Sequence, residues 1–408
     1  MLKRSLPAGW QRTPLDEVAE VQTGIAKGKV INGMTATLPY LRVANVQDGH
    51  VDLSVIKEIT VKASEVERYS LRAGDVLFTE GGDFDKLGRG TVWNGQIAPC
   101  LHQNHVFAVR PSLKRVNPEF LAFQAASEYG KRFFQLSSKQ STNLASINST
   151  QLKQFPVLLP PLPEQRKISE ILRTWDEAIE KLEALRAAKR YQLIGLTQKL
   201  LGVGGVFPNR WEQRPLSAIS TRVRRQNGGG EHPVMTISAK SGFRLQSDKF
   251  SRDMAGSSVD RYIVLHEGEF AYNKGNSLTA PYGCIFPLDR PTALVPFVYF
   301  CFALNAGMNS EFYAHLFVAG ALNHQLSRLI NSGVRNDGLL NLDPEDFFGC
   351  KVPVPPVEEQ SSIAQTLTAA KQEVGLLEAE IDLLTRQKRG LMQKLLTGEW
   401  RVQVEEAA

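Results

Sequence analysis

The chain has 408 residues, 42% hydrophobic and 22% charged, with a formal net charge of +6. That length suits two or three domains with cores of their own, and the mild basic excess fits either an anionic partner or a basic solvated surface. The four cysteines, Cys100, Cys284, Cys301 and Cys350, have no CxxC spacing, which argues against a zinc ribbon or a dithiol redox site.

The opening MLKRSLPAGW leads into no apolar core, so no signal peptide is expected. No apolar run is long enough to span a membrane, and the cysteines read as small buried hydrophobes of a reducing compartment. The expected location is the cytoplasm.

Residues 1–155 read as a mixed α and β unit beginning with Pro7, Trp10, Pro14 and Leu15. Strand-like runs are Tyr40–Val46, Val76–Thr79 and His105–Val109, and a helix is expected after Pro118. Its polar, Gly-rich loops are TGIAKGK, TEGGDFDKLGRG and SSKQSTN. Lys27, Lys29, Lys86, Arg89 and Lys139 there can neutralise phosphates, and Gln140 and Asn143 are amides suited to adenine edges. His102 and His105 lack a convincing Cys or acid partner and read as buried or hydrogen-bonded histidines.

At Pro160–Ile168 the chain reads PPLPEQRKI, heading a segment at 156–205. Ile168, Leu172, Trp175, Ile179 and Leu182 follow the 3.5-residue period of a coiled-coil seam, interrupted by Arg186 and Lys189. Pro163 and Glu164 suit a helix start, and Gly202 a helix stop.

The chain then repeats itself. PNRWEQRPL at 208–216 echoes PAGWQRTPL, EGEFAY at 267–272 echoes AGDVLF at 73–78, and GLLNLDPEDFFGC echoes NLASINSTQLKQF. The second unit, 206–350, has strand-like runs at Val234–Ser238 and Tyr262–Leu265, and a helix is expected after Pro296. Its aromatic stripes read as core more readily than as a base-stacking surface. Candidate phosphate contacts are Arg222, Arg224, Arg225, Lys274 and Arg335, with Asn273, Asn276 and Asn336 as candidate base readers. Each loop alone also fits solvated turn chemistry. TRVRRQN is the best of them, since its three arginines repel unless an anion is near.

PPVEEQSSI at Pro355–Ile363 heads the last segment, 351–408. Ile363, Leu367, Val374, Leu377, Ile381 and Leu384 form its seam, and Lys388 breaks the series. Two such helices are most economically packed on each other, antiparallel, with one unit at each end of a rod and an approximate twofold between them. A generic helical hairpin with no spacing role is the alternative. Gly195 and Gly390, at equivalent positions, suggest either close backbone approach or a tolerated defect. The expected fold class is α+β: two pseudo-twofold-related α/β domains joined by two long antiparallel coiled-coil helices.

No GxxxxGK[ST] loop, HExxH helix, Rossmann fingerprint or Asn/Asp-Pro-Pro-aromatic motif is found, so no catalytic or metal-binding residue is expected. The order PxxW, GDVLF, PPLPEQxxI and a long helix ending QKLL, all repeated, resembles the DNA-specificity subunit of type I restriction-modification systems. The resemblance implies two target-recognition domains, each reading half of a bipartite site in double-stranded DNA, and spacer helices that set the gap. It implies two methyltransferase (modification) subunits as partners, methylating adenine with S-adenosylmethionine. It also implies motor and nuclease (restriction) subunits using ATP and Mg, with no cofactor bound by this chain and no membrane partner. The competing classes are a coiled-coil adaptor that binds only proteins and a cryptic metal-dependent nuclease.

Overall fold

In the computed structural model, residues 6–404 are described except 27, 29–32, 83–86, 89, 141–144, 203–210, 250–255, 276–279 and 331–339. Two units result: Met1–Glu183 with Ala379–Ala408, and Ala184–Glu378. The division cuts both long helices, so each unit is one α/β domain plus half of each helix.

Each domain is closed by its own ends. Gln11–Pro14 pairs antiparallel with Pro156–Leu159, and Glu212–Pro215 pairs antiparallel with Lys351–Val354. Inside the first, a four-stranded sheet runs in the order Ala19–Thr23, Val106–Pro111, Val76–Thr79, Gly90–Val92. The second has the same order in Ser220–Arg222, Phe300–Leu304, Phe270–Asn273, Cys284–Pro287. GDVLF and GEFAY therefore occupy the same place. Their acids do matching work: Asp75 accepts from the Arg72 N–H and holds Arg110 at 2.8 Å. Glu269 accepts from the His266 N–H at 2.8 Å and pairs with Arg225.

Short helices are capped where the sequence offers caps. Asn117 precedes Pro118–Ala126 and Asn309 precedes Ser310–Val318, each accepting from the N–H three residues on at 2.9 Å. Asn148 and Asp343 cap Ser149–Lys153 and Pro344–Gly349, the pair of helices that precede the closing strands.

Two sequence expectations are corrected. The run after Pro296 forms the strand Phe300–Leu304, not a helix. Phe300 and Phe302 point to one face, where Phe302 stacks on Phe270 at 5.3 Å, while Cys301 faces a second core cluster. Aromatic residues that alternate between two buried faces favour a strand over any helical stripe. The run Tyr40–Val46 divides at Leu41, because buried Asn45 accepts from the Arg42 N–H at 2.9 Å and bends Val43–Asn45 into a 3-10 turn.

The long helices are Leu162–Leu201, 40 residues, and Val357–Leu395, 39 residues. Gly202 and Gly398, at φ +85° and +74°, follow them in the left-handed conformation that ends helices. In the first unit Ile168 and Leu172 share a core cluster with Leu395 and Leu396, and Asp176 pairs with Lys388. In the second unit Leu193, Leu196 and Leu200 pack with Ile363 and Leu367, and Lys189 holds Glu373 at 2.8 Å. Within each unit the helices therefore run antiparallel. Trp175, Ile179, Leu182, Leu377 and Leu384 are half-buried, while Val374 and Ile381 are buried. Lys388 and Lys189, which break the apolar series, are ion-paired across the seam; Lys388 also lies over the Phe123 ring at 5.4 Å. Gly195 and Gly390 are tolerated defects: a Cβ on either would meet nothing within 4 Å.

The repeated Glu-Gln of the heading motifs locks helix to domain. Glu164 accepts from the Trp10 indole at 3.3 Å, and Glu359 from the Trp211 indole at 3.1 Å. Gln165 accepts from the Asn117 N–H and donates to the Arg115 and Pro160 carbonyls, at 2.8, 2.9 and 2.8 Å. Gln360 accepts from the Asn309 N–H and donates to the Pro355 carbonyl, at 2.9 and 2.8 Å. Both glutamines are buried, and each carboxamide finds its partners in backbone groups of its own unit. In the first unit Arg401 closes the lock, with Nε and Nη2 on Glu164 at 2.6 and 2.8 Å and Nη1 on the Ala8 carbonyl at 3.1 Å.

Candidate nucleic-acid interface

Of the sequence-predicted DNA contacts, residues 27, 29, 86, 89, 143, 276, 335 and 336 lie outside the described residues. In the first unit Lys139–Gln140 forms a short strand on Ala145–Ser146, which pairs in turn with Gly81–Gly82. Next to this ribbon, His105 Nδ1 is hydrogen-bonded to the Glu80 carboxylate, an acid partner the sequence did not reveal, and the Glu80 N–H donates to the His105 carbonyl at 2.9 Å. His102 is buried, its Nδ1 at 2.7 Å from the Val106 carbonyl oxygen, and burial lowers its pKa. Burial likewise pushes the Cys100 and Cys350 thiols up to about 11. Among the described residues no cluster of His, Cys, Asp and Glu could hold a metal.

The second unit brings its arginines together. The stretch after Ser220–Arg222 is pinned on two sides. The Val223 N–H donates to the Cys301 carbonyl at 2.9 Å, and the Arg225 carbonyl accepts from Val264 at 2.8 Å. Gln226 bridges to Ile263, and Asn227 donates to the Tyr262 carbonyl at 3.0 Å. This is a braced edge rather than a free turn. Its charges are sorted. Arg225 pairs with Glu269, and Arg222 lies over the Phe348 ring at 5.1 Å. Arg224 is exposed with no ion pair among the described residues. Burial first, then the neighbouring Arg224, lowers the Arg222 pKa against the pull of Asp343 and Glu345. Asn273 is committed internally, donating to the Ile237 carbonyl at 3.1 Å and accepting from the Gly275 N–H at 2.9 Å. Lys274 sits over the Phe300 ring at 5.1 Å.

Beside this edge lies an open cleft of about 310 Å³, lined by Arg222, Arg224, Gln226, Arg261 and Phe297 among others. Arg261 and Phe297 were not singled out by sequence. Arg261 ends the 3-10 helix Gly256–Arg261 and Phe297 lies in the turn after the strand Thr292–Val295, and only the fold sets the Arg261 guanidinium 5.5 Å from the ring centroid. The available signal was three arginines within four residues, which located the edge but not its aromatic partner. Among the described residues no helix is long and apolar enough to cross a membrane.

Residues 7–189 match the family model of the type I restriction modification DNA specificity domain. A Methanocaldococcus jannaschii protein described as the type I restriction enzyme MjaX specificity subunit is 24% identical, over 97% of this chain and 95% of its own. The EcoKI specificity subunit of Escherichia coli K12 is 30% identical, over 45% of this chain and 40% of its own. The fold is shared with the HsdS subunit of Thermoanaerobacter tengcongensis, at TM-score 0.50 and 17% identity over 98% of this chain and 99% of that one. It is also shared with the S subunit of a type I restriction-modification system from M. genitalium, at TM-score 0.56 and 13% identity over 97% of each.

Proposed function

We propose that this protein, whose residues 7–189 match the type I restriction modification DNA specificity domain, is the part of such a system that reads DNA sequence. Each domain takes one half of a bipartite site, and the paired helices set the unspecified middle. Two methyltransferase subunits dock on the chain and methylate adenine with S-adenosylmethionine. Motor and nuclease subunits bring ATP and Mg, and the chain itself is non-catalytic and works in the cytoplasm. The observation that carries this reading is the doubled framework. The same sheet order and the same Trp–Glu and Gln–Asn locks occur in both domains. Yet their loops differ: the edge that carries Arg222, Arg224 and Arg225 in one is Val21, Thr23 and Gly24 in the other. Two copies of one scaffold with unlike rims are suited to two unlike sequences.

The test is methylome sequencing of cells that carry the system. A methylated adenine motif in two parts with an unspecified middle is expected. A continuous motif, or no motif that depends on this chain, overturns the reading and leaves a protein-binding adaptor.

A further inference from the structure

The strongest feature outside the repeated framework is the cleft in the second unit. Three guanidinium groups surround it, and Phe297 stands 52% exposed at its mouth. A ring that exposed within a basic surface is unsatisfied in water, yet it is held in place. The turn that carries it is closed by the Tyr299 N–H on the Pro296 carbonyl at 3.0 Å. The Tyr299 hydroxyl is tied to Thr236 Oγ1 at 3.0 Å. The arginine edge opposite is braced by backbone bonds on both sides, so neither wall needs ordering when a ligand arrives. Arg261 lies over the ring and keeps one positive charge at its rim. An apolar protein partner would strand these guanidinium groups without counter-charge. A polyanion with flat apolar faces satisfies both chemistries at once.

We propose that this cleft seats one base step of double-stranded DNA, with Arg222 and Arg224 on backbone phosphate oxygens and the Phe297 ring wedged against a partly unstacked base. The proposal rests on the DNA-reading function above and adds its mode. The second domain deforms its half-site locally, as apolar side chains inserted between base pairs do elsewhere. Arg261 is a positioning residue that holds the ring. Specificity in this half-site then depends partly on which step unstacks cheaply, in addition to base-edge hydrogen bonds.

The experiment uses the full chain and duplexes it recovers from a random 40-base-pair pool in which 5-iodouracil replaces thymine. Binding is followed against salt, and photocross-links are mapped by peptide. Wild type is expected to cross-link through the peptide that carries Phe297. Phe297→Ala should lose that cross-link and bind at least fivefold more weakly, while Phe297→Tyr keeps both. Arg224→Ala should reduce the salt slope by about 1. Since Phe297 is half exposed, its loss leaves the core intact. Wild-type binding with an unchanged cross-link and affinity in Phe297→Ala overturns the wedge but not DNA reading. Failure of wild type to recover any duplex overturns DNA reading itself, and the wedge with it.

Discussion

The carboxamide of Gln165 reaches the backbone N–H of Asn117 at 2.8 Å, joining the first turn of a long helix to the cap of a helix 48 positions earlier. Gln360 and Asn309 make the same bond at 2.9 Å in the second unit. This is why the Glu-Gln pair is written twice: each copy fixes the angle at which an α/β domain leaves its helix.

Replacing Gln165 by Ala leaves without this partner the Asn117 N–H and the Arg115 carbonyl, both part-buried, and the buried Pro160 carbonyl. The expected cost is about 2–3 kcal/mol, since unmade buried hydrogen bonds are expensive. Gln360→Ala breaks fewer of the bonds described and should cost less. Chemical unfolding of the two variants, followed for each unit by Trp10 or Trp211 fluorescence, checks the order.

Arg401 holds Glu164, which is only 3% exposed, with two nitrogens. Arg401→Ala leaves that carboxylate with the Trp10 indole alone. Because the guanidinium is itself half exposed, the expected loss is about 1–2 kcal/mol, confined to the first unit. Arg401→Lys should recover part of it. An unfolding midpoint for the second unit that shifts equally would refute the assignment.

Burial holds His102 below its ordinary pKa, with Asp75 opposing and Arg110 adding to the shift. His315 is shifted the same way by burial and Lys371, against Glu311. The unfolded chain takes up these protons near pH 6.5 and the folded chain only at lower pH. Stability is thus full above about pH 6.5 and falls as pH drops below it, by up to about 1.4 kcal/mol per pH unit per group. Thermal unfolding from pH 8 to 5.5 should show this slope, and His102→Asn should flatten it for the first unit.

Both long helices are shared between units, so a change in spacing has to be made twice. Four residues inserted after Glu183 and four after Glu378 leave the pairs Asp176–Lys388 and Lys189–Glu373 intact within their units. At 1.5 Å per residue, the proposed function expects the unspecified middle of the methylated motif to lengthen by about two base pairs, with unchanged half-sites. The insertion in one helix alone misaligns the seam and should abolish methylation. Methylome sequencing of both strains distinguishes these outcomes.

The helices, their ends and the duplication were legible because periodicity and repetition are local. Ile168, Leu172, Ile363 and Leu367 announce a seam by spacing alone. The strand at Phe300–Leu304 was not legible, because an aromatic run is ambiguous until the two faces it fills are known. Nor could the sequence link Gln165 to Asn117, or Arg261 to Phe297. Each pair is joined by how strands and turns close, and a single chain carries no mark of that distance. The arginine edge was half legible: the charges were visible, but not the Glu269 carboxylate that pairs with Arg225.

The first unit needs Leu395, Leu396 and Arg401 against Trp10, Ile168 and Glu164, whereas the second is one uninterrupted stretch of chain. During synthesis on the ribosome the order of completion is therefore inverted. The domain translated second can finish folding first, while the one translated first waits, open along the groove beside Trp10, until residue 401 has emerged. A nascent chain stalled before that point would expose this groove to chaperones.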